Sequence, residues 1–116
     1  MINLIKNNEI LIKKSKFLGF LYEISNLEEI KEILNNLKKE HKKATHICYA
    51  YKVGVSAKYS DDGEPSGTAG KPIYNIIEKK NLNNILIVVI RYFGGIKLGA
   101  GGLFRAYSNC ASELLK

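Results

Sequence analysis

Six consecutive residues, Ile85-Leu86-Ile87-Val88-Val89-Ile90, constrain this chain more than any other feature. The run is apolar at every position and mostly β-branched, so it has no face suited to water, and it predicts a central strand. It is far short of the ~20 apolar residues a membrane span needs, and no other run approaches that length. Five glycines follow at once, Gly94, Gly95, Gly99, Gly101 and Gly102, and then Leu103, Ala106, Tyr107, Cys110, Ala111 and Leu114 mark the buried stripe of a last helix.

The upstream half has its own periodicities. Residues 9–13 and 16–24 read as two strands joined at Lys14-Ser15, the second bending most easily at Gly19. Asn26-x-x-Glu29 is a capping box, and behind it Leu27, Ile30, Leu34 and Leu37 recur at helical spacing to about Lys43. Glu28, Glu29 and Glu32 begin that helix and Lys38, Lys39, Lys42 and Lys43 end it, which complements the helix dipole. From His46 to Val55 the pattern alternates: Ile47, Tyr49, Tyr51 and Val53 point one way, and the small residues Cys48 and Ala50 the other. Residues 60–70 are a loop with no period, and Pro72 opens a helix whose stripe is Ile73, Ile76 and Ile77. The predicted order is β-β-α-β-α-β-α. It fits a two-layer α+β sandwich, with a four-stranded sheet and helices on one face.

A chain of 116 residues, 46% hydrophobic and 25% charged, is the size and composition of one globular domain. Eighteen Lys and Arg against eleven Asp and Glu give a formal charge of +7, which favours an anionic partner such as RNA or an acidic protein surface. Cys48 and Cys110 are isolated and are read as buried thiols, and His41 and His46 have no zinc-like spacing. No metal or cofactor is expected. The N-terminal residues lack a secretory pattern, so a cytoplasmic location without membrane attachment is expected.

Chemistry concentrates in the two glycine loops. In the second, exposed N–H groups at a helix start, with Arg91, Lys97 and Arg105 near by, suit a phosphate or carboxylate. The spacing matches neither G-x-G-x-x-G nor a P-loop, and sharp turns with tight packing are the preferred explanation of the glycines. The first loop carries Asp61, Asp62 and Glu64, in a run that fits no EF-hand and that also forms plain turns. A Cys48–His46 pair lacks a third orienting group, so no catalytic residue is assigned.

Residues 61–72, Asp-Asp-Gly-Glu-Pro-Ser-Gly-Thr-Ala-Gly-Lys-Pro, and residues 88–103 around Arg91-Tyr92-Phe93-Gly94-Gly95 resemble the two signature segments of the YigZ/Impact family. Residues 13–17 and Ala44-Thr45-His46 are similar to its N-terminal features. The resemblance implies the ribosomal-protein-S5-domain-2-like fold, and a link to translational control through the family's eukaryotic members. Bacterial members continue into a ferredoxin-like second domain, whereas this sequence stops at Lys116. Residues 1–116 are therefore expected to form a single domain, and no role of the second is carried over.

The functional expectation is a non-enzymatic binding domain of a translation-linked or stress-linked regulator. Arg91, Gly94, Gly95, Lys97, Gly99, Gly101 and Arg105 would bind RNA phosphate or the ribosome, and Asp61, Asp62, Glu64, Ser66, Thr68 and Lys71 would form a recognition loop. Two alternatives remain open at this stage. One is a regulatory protein module on an acidic partner surface; the other is an enzyme acting on a small phosphorylated or acyl substrate. The oligomeric state is left open.

Overall fold

The computed structural model describes residues 3–116. Their elements run β1 (Asn3–Ile12), β2 (Ser15–Glu23), α1 (Leu27–Glu40), β3 (His46–Val53), β4 (Ser56–Ser60), α2 (Gly70–Lys79), β5 (Ile85–Tyr92) and α3 (Gly99–Glu113). The five strands form one sheet in the order β1-β2-β5-β3-β4, with every neighbouring pair antiparallel. The apolar run of β5 is indeed central, with Leu86 to Ile90 fully buried.

Two expectations need correction. The sheet has five strands, not four, because β4 pairs with β3 across the two-residue turn Gly54-Val55. Its side chains are mostly exposed, so no hydrophobic pattern announced it. Nor do the helices share one face. Alternate residues of β5 enter two separate cores: Ile87 and Val89 pack with Ile73, Ile77 and Tyr107 of α2 and α3, whereas Leu86, Val88 and Ile90 pack with Ile30, Ile33 and Leu37 of α1. The α+β class holds, but the sheet is covered on both sides. The small side chains Cys48 and Ala50 admit α2 and α3 closely, while Tyr49 and Tyr51 lie stacked and partly buried on the α1 side.

Helix α1 begins as its capping box predicts, Asn26 Oδ1 accepting the Glu29 N–H at 3.0 Å while the Glu29 carboxylate accepts from the Ser25 N–H. It stops at Glu40, three residues early, with His41 as its C-cap. Helix α3 starts four residues earlier than its apolar stripe, so Gly99, Gly101 and Gly102 form its first turn rather than a loop. Strand directions gather the hairpin turn at Lys13-Lys14, the end of α1, both glycine segments and the starts of α2 and α3 at one end of the sheet.

Candidate functional site

The first loop is organised by its own leading residue. The Asp61 carboxylate accepts backbone N–H groups from Gly67 (2.9 Å), Ala69 (3.1 Å) and Gly70 (2.8 Å), which ties the loop to the start of α2. Asp62 turns its carboxylate to the Ile47 N–H at 2.6 Å, and its carbonyl lies 2.6 Å from His46 Nδ1. A carbonyl only accepts, so Nδ1 carries the proton there. Thr68 is buried and its hydroxyl donates to the Pro65 carbonyl at 2.6 Å. Of the six residues predicted for this loop, only Ser66 and Lys71 leave their side chains to solvent without a structural bond.

Glu64 points inward, with its side chain 2% exposed. Arg91 on β5 donates to it twice, Nε to Oε2 at 2.6 Å and Nη2 to Oε1 at 2.8 Å. The Tyr107 hydroxyl on α3 donates to Oε2 at 2.5 Å, and His46 Nε2 on β3 lies 3.4 Å from Oε1. Three protein hydrogen bonds thus converge on this carboxylate, with the His46 ring packed beside Oε1. Burial by itself lowers the Arg91 guanidinium, but the hydrogen bonds and charge of Glu64 more than reverse it, with a lesser contribution from Tyr107. Burial pushes the Tyr107 phenol up, helped by Cys48 and Glu64, so it stays a donor. The Cys48 thiol, 3.2 Å from the Asp61 carbonyl, is also pushed up, chiefly by burial. This group is a clamp joining the first loop to β3, β5 and α3.

Glu64 takes the side-on edge of the guanidinium, which leaves Nη1 without a protein hydrogen bond. Every buried side-chain nitrogen or oxygen among the described residues has a partner, so Nη1 keeps some contact with solvent although Arg91 as a whole is buried. Arg91 lines a cleft of about 320 Å³ between the two glycine segments, together with Pro65, Phe93, Leu98 and Leu103 and with Lys97 and Gly99. The predicted Arg91, Lys97, Gly99 and Glu64 thus meet in one place. Gly94 and Gly95 form the turn before it, and a Cβ on Gly94 would overlap the Lys14 carbonyl. Gly101 and Arg105 lie on exposed positions of α3, and Arg105 borders a separate hollow of about 250 Å³ with Lys13. Phe93, Leu98 and Tyr107 were not among the predicted site residues. Tyr107 carried a signal, because a hydroxyl on a buried helical stripe needs a partner.

Fold and site together define a small α+β domain whose distinctive feature is a loop-built cleft over a buried Glu–Arg pair at one end of its sheet. The Impact N-terminal domain matches residues 13–115. The chain belongs to the IMPACT family, as the resemblance of its two glycine segments implied. It is 50% identical over 109 residues to the IMPACT family member YvyE of Bacillus subtilis, covering 91% of this chain and 50% of YvyE. The chain therefore spans about half the length of that relative. A crystal structure of a hypothetical protein matches with a TM-score of 0.91 at 35% identity, over 98% of this chain and 59% of that one. The two-domain translational regulator Yih1 shares the fold, with a TM-score of 0.58 at 24% identity over 98% of this chain and 45% of its own. No helix among the described residues is long and apolar enough to cross a membrane.

Proposed function

We propose that this chain is a non-enzymatic binding domain of a translation-linked regulator, and that the cleft between its glycine segments takes an RNA phosphate. The observation that carries this reading is the free edge of Arg91. It is a guanidinium held rigid by Glu64, with Nη1 left without a protein hydrogen bond, and it lines the cleft beside Lys97 and the start of α3. The surroundings favour an anion, since Lys13, Lys14, Lys16, Lys42, Lys43 and Arg105 are exposed at the same end of the sheet. The acidic residues there, Asp61, Asp62 and Glu64, are bound to the protein itself. Glu64 already accepts three hydrogen bonds from the protein, which weighs against general-base chemistry. The link to translation is supported by family membership and by the fold shared with Yih1.

The test is fluorescence anisotropy with short single-stranded RNA at several salt concentrations. Micromolar binding is expected, and Lys97→Ala should lower the salt slope by about 0.7 for one lost phosphate contact. An unchanged slope would remove Lys97 from the site. Absence of RNA binding, with a protein partner retained after nuclease treatment of a lysate, would move the reading to an acidic protein surface.

A further inference from the structure

We infer that the cleft seats one unstacked nucleotide, its phosphate on the free edge of Arg91 and its base against Phe93, so that the domain selects single-stranded over duplex RNA. This rests on the phosphate reading above and adds the form of nucleic acid to it. A phosphate alone asks for donors, yet the walls beside Nη1 are Pro65, Phe93, Leu98 and Leu103, which offer none from their side chains. Such walls suit a flat, weakly polar body attached to the anion. A volume of about 320 Å³ accommodates a nucleotide-sized group and excludes a duplex, which can only lie across the mouth.

Phe93 is the natural platform. It follows β5 directly, the residue is 45% exposed, and its backbone N–H is held by the Thr45 hydroxyl at 2.9 Å, which fixes its position. The Arg91 Cζ lies 5.5 Å from the ring centroid, so the same guanidinium that would meet the phosphate also backs the ring. Paired bases are stacked within a duplex and cannot reach this ring, whereas a single strand can turn one out.

The experiment is anisotropy with single-stranded and duplex RNA of equal length, using wild type, Phe93→Leu and Phe93→Trp. Wild type should favour the single strand at least tenfold. F93L should lower single-strand affinity about 5- to 150-fold, the range for losing one stacked base. It should leave the salt slope and the duplex affinity unchanged, and F93W should restore single-strand binding. Thermal melting of both variants checks that the exposed site tolerates them. Equal affinity for both RNA forms, or an F93W as weak as F93L, would overturn the stacked-base assignment and leave the phosphate reading standing. Failure to bind either RNA form would overturn both.

Discussion

Glu64 is the residue on which the candidate site depends. It is a buried charge in a loop, and its cost is offset only because Arg91, Tyr107 and His46 converge on it from three different elements. Removing the charge leaves the Arg91 guanidinium buried and uncompensated. Glu64→Gln is expected to destabilise the domain by about 3 kcal/mol, read as a shift in the urea midpoint. Replacing both partners, as Glu64→Leu with Arg91→Met, should recover much of that loss, because an apolar pair leaves no charge stranded. If E64Q unfolds no more easily than wild type, the clamp is not what holds the first loop.

At the scale of elements, glycines of one run do opposite things. Gly94 sits where the second segment crosses the β1–β2 turn, and a methyl group there would meet the Lys14 backbone, which cannot swing aside. Gly101 lies in the first turn of α3, where a methyl group would touch only the movable guanidinium of Arg105 at 3.4 Å. Gly94→Ala should therefore cost about 1–3 kcal/mol from overpacking. Gly101→Ala should be neutral or stabilise by up to about 1 kcal/mol through helix propensity. Thermal unfolding of the two variants measures both, and equal losses would contradict the assignment of Gly101 to the helix. The turn itself is unusual, since Lys13 and Lys14 both have positive φ, 47° and 68°, where Asn-Gly is the usual pair.

Across the whole molecule, β5 lies between β2 and β3, and β3 lies between β5 and β4. Helices α1 and α2 each return the chain to a parallel strand two places away, on opposite faces of the sheet. Because β2 and β3 run opposite to β4 and β5, the two crossovers have opposite hands, so one of them departs from the usual right-handed rule. The doubly covered sheet also hides both thiols. Burial pushes Cys110 up to about 12 from 9.0 and raises Cys48 as well, and Tyr107 rises from 10.0 for the same leading reason. Above pH 9 the unfolded chain releases these thiol protons while the folded chain keeps them, so stability falls as pH rises. The urea-unfolding free energy should be flat from pH 7 to 8. Once well above pH 9 it should drop by about 1.4 kcal/mol per pH unit for each thiol. A flat profile to pH 11 would mean that the thiols are not held protonated.

What the sequence determined by itself was local. The central strand is written in six apolar residues, the start of α1 in Asn26 and Glu29, and the α3 stripe in spacing from Leu103 to Leu114. Each depends on residues within a few positions of one another, so periodicity and capping suffice to find it. The glycine segments could be marked as the chemical part of the chain, and Arg91, Lys97 and Gly99 do meet Glu64 at one cleft. Other features belong to the tertiary structure alone. Strand β4 is five residues long with mostly exposed side chains, and its place in the sheet comes from the bonds that the β3 edge supplies. Which face α1 covers depends on how the chain crosses the sheet, because β5 is equally apolar on both sides. The Glu64 carboxylate is met by side chains up to 43 positions away, and no local pattern records that Arg91 and Tyr107 will arrive at it together.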